Sequence, residues 1–471
     1  MTRLLTLSFA LLLVIGCGDD ATPPGDAGPR DAPTADVPGM DAPGMDAPGM
    51  DGGDCPAEVT VDNDIEADTT WACPVYVLTR KIFVTMDSTL TINAGVTVLG
   101  EAGGSEETAL IVTRGSQLVA AGTATSPVVF TSGNPEGART TGDWAGVALL
   151  GSARVNDGEC VDDAMPATEA CDAPGYFEGA LEGIEVADVR GAYGGTDDAS
   201  SCGSLEYVRI EFAGAELSPD NELNGLTVAG CGSGTNLSFI QVHRGSDDGV
   251  EFFGGTANAD HLVLSGIDDD SLDCDLGWTG SVQFAVIHQY AGLGDHGIEC
   301  DNLGGAEAST PRTNPTLFNF TMIGTADTRG MLLREGFRGT LRNFIIQGFG
   351  TEAVDLAAVT NDLSTEWPGE LSIENSFFFM NGAYAAETGM DDDDGGFVEQ
   401  TAIEDAARNN TTGTDPMIGD TSITAPDYVA TNTALNDQAT PTFGDVTATY
   451  AGAFPVGGAN WAQGWTAYPE N

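Results

Sequence analysis

The chain has 471 residues, 72 of them Asp or Glu against only 16 Lys or Arg, a formal net charge of −56. Nucleic-acid backbones and anionic lipid headgroups both demand clustered basic side chains, so neither is a partner for this protein's own side chains. Hydrophobic residues make up 41%, enough for a core, and 63 glycines point to a turn-rich all-β chain.

Arg3 precedes an apolar run from Leu4 to Ile15 that is too short for a permanent membrane span but matches a secretory signal core. The following Val14-Ile15-Gly16-Cys17 resembles a bacterial lipobox, in which the cysteine is acylated and becomes the new N-terminus. Residues 1–16 are therefore expected to be a lipoprotein signal peptide and Cys17 the lipidation site. The membrane partner is the lipid on Cys17, at the bacterial outer membrane or cell surface.

Residues 17–54 read as a disordered tether. Positions 18–54 hold seven prolines, nine aspartates and one arginine, and Pro-Gly-Met-Asp recurs at Pro38, Pro43 and Pro48. Proline without apolar periodicity builds no core, and like charges extend the chain, at roughly 3.1 Å per residue.

The remaining eight cysteines are an even number, which in an exported chain favours disulfides. They fall as near neighbours, and the expected bonds are Cys55 to Cys73, Cys160 to Cys171, Cys202 to Cys231 and Cys274 to Cys300. No Cys-x-x-Cys occurs, which argues against thiol redox chemistry or a zinc cage.

From residue 205 a pattern of short β segments repeats. Leu205-Glu206-Tyr207-Val208-Arg209-Ile210 matches Leu237-Ser238-Phe239-Ile240-Gln241-Val242, with further copies near Ala259, Val282, Leu317, Leu341 and Leu371 at offsets of 22 to 35 residues. A second strand follows most copies, opening at Gly225, Gly249, Ser271, Gly297 and Gly330. Repeats of this length that are β throughout describe a solenoid whose rungs pair only with their neighbours. The expected fold is a right-handed parallel β-helix over residues 55–385, with its first rungs at 75–100 and 108–131. Residues 386–471 are expected to form a loop, a short helix at Phe397–Arg408 and a cap in which Phe454, Trp461, Trp465 and Tyr468 cover the last rung.

Gly142-Asp143-Trp144-Ala145-Gly146-Val147, then Asn224-Gly225-Leu226-Thr227, then Ser246-Asp247-Asp248-Gly249-Val250-Glu251-Phe252-Phe253-Gly254-Gly255, occur in that order. Together with the ending from Gly452 through Trp461, Trp465 and Thr466, they resemble uncharacterised secreted bacterial β-helix lipoproteins of the pectin-lyase-like superfamily. The resemblance covers roughly residues 75–471 and implies architecture, with no assigned activity.

Aligning the second strands brings together Asp247-Asp248-Gly249-Val250-Glu251, Asp269-Asp270-Ser271-Leu272-Asp273 and Asp295-His296-Gly297-Ile298-Glu299. Equivalent positions on successive rungs stack about 4.8 Å apart, so Asp247, Asp269 and Asp295 form one column and Glu251, Asp273 and Glu299 another. Carboxylates that close repel one another unless cations or protons neutralise them.

Three readings of this stack compete. In one, aspartates merely cap turns. In the second it binds calcium, a hard cation suited to several carboxylate oxygens, through Asp247, Asp248, Asp268, Asp269 and Asp270, with the run Asp391–Asp394 as a weaker candidate. In the third, Asp248, Asp269, Asp270, His296 and Arg334 resemble the constellation of polygalacturonases. That resemblance implies an inverting glycoside hydrolase, with Asp270 as general acid, Asp248 and Asp269 activating water, and His296 and Arg334 assisting. Ser246, Asp295 and Leu332 stand where that family has asparagine, glycine and arginine, so a neutral sugar suits the groove better than a polyuronate.

The expected protein is a monomeric, structural or adhesive binding protein of the cell surface. It would bind calcium, carbohydrate or both, without an organic cofactor. The alternative is a polysaccharide-degrading enzyme.

Overall fold

The computed structural model describes residues 55–103, 107–161, 171, 175–218, 221–357, 366–382, 384 and 396–471. The residues expected to form the signal peptide and the tether, the expected lipidation site Cys17, and Asp391–Asp394 lie outside the described residues.

The strands wind into a right-handed parallel β-helix. One face is a nine-stranded parallel sheet running from Lys81–Val84 through Ala109–Val112, Gly146–Leu150, Leu226–Ala229, Val250–Phe253, Leu272–Asp275, His296–Cys300 and Arg329–Leu333 to Asp355–Leu356. Most of the other strands form a 17-stranded sheet that bends at a corner into two faces, and the rest form a three-stranded and two two-stranded antiparallel sheets. Alternation decides what goes inside. In the nine-stranded sheet Val250, Phe252, Leu272, Cys274, Ile298 and Cys300 point into the core, while Glu251, Asp273 and Glu299 point out.

The corner is built from residues with left-handed backbone. Tyr207, Phe239, His261, Phe284, Asn319, Asn343 and Asn375 have φ between 50° and 63° and stack in register, one per rung. Asparagine is among the non-glycine residues that adopt this conformation most readily. The aromatic members instead stack on one another, Tyr207 on Phe239 at 4.3 Å between ring centroids and Phe239 on His261 at 4.2 Å.

The four disulfides join the cysteines paired from the sequence. Cys202–Cys231 and Cys274–Cys300 lie inside the core. Leu205, Leu237, Ala259, Val282, Leu317 and Leu341 are in register, as the repeat indicates, but Leu341 pairs with Ile373 rather than Leu371. The rungs also continue past residue 385, since Thr411–Thr412 pairs with Phe377–Phe378.

The C-terminal aromatic residues do not cap the last rung. That end is closed by the short helix Glu399–Ile403, whose Ile403 is fully buried in the core. The chain beyond Thr412 returns as a strap along the flank of the helix. Its backbone is read by outward polar side chains of successive rungs. Asn343 and Ala439 bond each other, as do Gln283 and Asp445, Asn319 donates to Tyr450, and Gln241 and Ala467 bond each other. His243 Nε2 meets Pro469 O at 2.9 Å. Trp461 and Trp465 pack edge-on against the ring of Phe239. Edge-on packing on the aromatic corner buries Trp465 and half-buries Trp461 and Phe239, which is why these side chains go to the flank.

Candidate functional site

The site lies on the outer surface of the nine-stranded sheet, where two columns run along its strands and two more stand just before them. Val250 pairs with Leu272 and Leu272 with Ile298, so Asp247, Asp269 and Asp295 share one column, as expected. Asp248, Asp270 and His296 share the next, and continuing the register toward the N-terminus puts Asn224 ahead of Asp248. Glu251, Asp273 and Glu299 form the third, and Asp275 and Asp301 belong to the fourth, which ends at Arg334.

Turn glycines set how close the rungs come. A Cβ on Gly249 would lie 2.4 Å from the Ser271 carbonyl oxygen, so the residue after Asp248 has room only for hydrogen. Asp248 and Asp270 then reach across to the next turn. Asp248 Oδ1 accepts the backbone N–H of Asp270 at 3.0 Å, and Asp270 Oδ1 accepts that of His296 at 2.6 Å. Both carboxyls are buried, at 7% and 6% exposure.

The groove has two electrostatically different ends. At one end His296 is clamped by acids, with Nδ1 3.2 Å from Asp270 Oδ1, 3.2 Å from Glu299 Oε2 and 3.8 Å from Asp295 Oδ2. Burial disfavours the imidazolium, but the hydrogen bonds to Asp270 and Glu299 outweigh it and lift His296 to about 10. Burial also works against the charge of Glu299, yet the bonds with His296 and Asp270 and the nearby Arg334 hold its carboxyl below the usual range. Arg334 pairs with Glu299 and, through Nε at 3.0 Å, with Asp301. Arg329 pairs with Asp295 and, at 2.8 Å, with Glu352. The basic groups at this end are therefore already matched to carboxylates.

The other end holds acids without bases. Oxygens of Asp247, Asp248 and Asp269 lie within 4.8 Å of one another, and so do those of Asp248, Glu251 and Asp273. Among the described residues, none of these five carboxylates has a Lys or Arg partner. Burial raises Asp247 to about 7, helped by the charge of Asp269. Burial, with the charge of Asp273 next, also pushes Asp248 and Glu251 well above the carboxylate range, and Asp273 rises likewise with Asp275 beside it. Asp270 is lifted by burial to about 7, against the pull of His296.

Three such groups crowded together hold either protons or a cation. All-oxygen donor sets suit hard divalent cations, calcium above all. A third convergence, Asp270, His296 and Glu299, fits a metal poorly, because a protonated imidazole has no lone pair to give.

The residues picked from the sequence thus separate. Asp247, Asp248 and Asp269 come together. Asp270 turns toward His296, and Asp268 stands exposed beside the group and outside it. From the sequence, Glu251 and Asp273 fall in a column but not among the expected ligands, and Asn224, Asp275 and Asp301 are not among the expected site residues. Asn224 carried a usable signal, since Asn224-Gly225 occupies the register of Asp248-Gly249.

A family described as a pectate-lyase like beta helix domain matches residues 63–466, and the chain belongs to it. No curated protein and no solved structure shows significant similarity to the sequence.

Proposed function

We propose that this pectate-lyase-like β-helix protein is a binding protein of the cell surface, anchored through lipid on Cys17, whose acidic face takes calcium at Asp247, Asp248 and Asp269. The observation that carries the reading is the convergence of these three carboxylates within 4.8 Å with no basic partner among the described residues. Calcium held there keeps open coordination positions for hydroxyl oxygens of a neutral polysaccharide. It also offsets the mutual repulsion of the crowded carboxylates in a chain of −56 charge. Four disulfides agree with export to an oxidising compartment.

A second reading, glycoside hydrolysis, is favoured by one observation: burial raises Asp270 to about 7, where a carboxyl can act as a general acid. Against it, two of the three aspartates assigned to acid and base, Asp270 and Asp248, accept backbone N–H groups of the next rung, and Arg334 is engaged by Glu299 and Asp301.

Retention of the full chain on a panel of neutral and acidic polysaccharides, in calcium and in chelator, tests the binding reading. Reducing-end release by wild type and Asp270→Asn is assayed on the same panel. Calcium-dependent retention without release is expected. Release that disappears in Asp270→Asn would replace the binding reading with the hydrolase.

A further inference from the structure

We infer that the acidic face seats two divalent cations rather than one, with Asp248 bridging them. This rests on the calcium reading above and deepens it. The outer seat is Asp247, Asp248 and Asp269, and the inner seat is Asp248, Glu251 and Asp273; Asp248 is common to both. A carboxylate has two oxygens and about four lone-pair directions, so one side chain can serve two cations, as in two-metal sites whose ions stand about 3.5–4 Å apart.

Asn224 supplies the independent observation. Its side chain is 4% exposed, and its amide nitrogen donates to Glu251 Oε2 at 2.5 Å and to Thr227 Oγ1 at 3.3 Å. The amide head group is thereby held against the inner carboxylates. Its Oδ1 is buried with no hydrogen-bond partner. A closed-off amide oxygen normally finds a donor, because leaving it unpaired forfeits the hydration it gave up on burial. A cation among Asp248, Glu251 and Asp273 satisfies it, and a neutral carbonyl oxygen beside carboxylates is a common calcium ligand. Register explains the placement, since Asn224 is the rung-equivalent of Asp248 and Asp270.

The two seats also differ in access. Asp269 is exposed and Asp247 half-buried, whereas Asp248, Glu251 and Asn224 are buried. The outer cation faces ligand in solution, and the inner one is structural.

Equilibrium dialysis of radioactive calcium against the full chain, freed of metal by chelation, reads the stoichiometry by difference from wild type. Asp269→Asn and Glu251→Gln are each expected to bind one calcium fewer, and Asp248→Asn two fewer. Asn224→Ala should weaken the component lost in Glu251→Gln and leave the one lost in Asp269→Asn. Near-ultraviolet circular dichroism shows that each variant keeps its tertiary packing. If Glu251→Gln binds as much calcium as wild type while Asp269→Asn loses one, the inner seat is wrong and the outer one stands. If neither loses calcium, both this inference and the calcium reading fail. If Asp248→Asn loses only one, the bridge is wrong.

Discussion

Asp248 Oδ1 accepts the backbone N–H of Asp270 at 3.0 Å, one rung ahead of it, and Asp270 repeats the arrangement toward His296 at 2.6 Å. The same carboxyl therefore serves the fold and the site. The two roles separate by substitution. In chelator, Asp248→Ala leaves the Asp270 N–H without its partner and lowers stability by about 1–3 kcal/mol. Asp248→Asn keeps an acceptor oxygen and removes a crowded charge, so its loss is smaller. Urea unfolding of the two variants side by side checks the order, and equal losses would contradict it.

Beneath the strap sit three of the four histidines. His243 bonds Ser265 and Pro469, His288 lies 3.2 Å from the Tyr428 hydroxyl, and His261 meets Trp461 edge-on. Burial depresses His243 and His288 to about 4 from 6.5, with Arg244 and Arg209 adding to the effect at His243. The folded state thus favours the neutral rings. Their contribution to stability is complete above pH 6.5 and is lost as pH falls toward 4, where the unfolded chain binds protons that the folded chain refuses. Groove carboxylates with raised values act with the opposite sign. The informative quantity is therefore the difference between wild type and His288→Asn in denaturant unfolding, followed by the intrinsic fluorescence of the six tryptophans. The variant should lose less stability than wild type between pH 6.5 and 4, and parallel profiles would refute this.

Trp278 is fully buried and stacks on Phe252 with ring centroids 4.1 Å apart and planes 9° from parallel, while its Nε1 donates to Ala257 O. Trp278→Ala removes the largest side chain beneath the acidic face and leaves a cavity that a solenoid held by rung stacking closes poorly. A loss of about 3–5 kcal/mol is expected from denaturant unfolding. A loss below about 1 kcal/mol would show that the rungs relax freely.

Anchoring is tested on the cysteine itself. Expressed in a bacterium that processes lipoproteins, the wild-type chain should incorporate labelled fatty acid and sediment with membranes. Cys17→Ser should do neither. Labelling that survives the substitution would place the lipid elsewhere.

Most of the architecture was legible because a solenoid writes its fold repeatedly. Each rung carries its own alternation, and a near-neighbour pair such as Cys274 and Cys300 sits in register on adjacent rungs. What escaped has physical reasons. Alternation has period two, so a slip of two residues leaves the same side chains inward, and nothing in the pattern separates Leu371 from Ile373 as the partner of Leu341. Aromatic content marks Phe454, Trp461 and Trp465 as buried without saying against which surface. The available hint was the polar, outward Gln241, Gln283, Asn319 and Asn343, which need partners that only another segment could bring. At the site, counting charges found the aspartate columns but overlooked Asn224, which is uncharged and equivalent to Asp248 only once the rungs are in register.

The central claim is that calcium belongs to the acidic face, and its most direct test is the melting temperature of the full chain in calcium and in chelator, with Asp269→Asn beside the wild type. A cation bound only by the folded state stabilises it by about 2.7 kcal/mol when present at 100 times its Kd. Wild type should melt higher in calcium, and Asp269→Asn should show a smaller rise while matching or exceeding wild type in chelator, where one fewer repelling carboxylate remains. A wild-type melting temperature that calcium does not move would contradict the account.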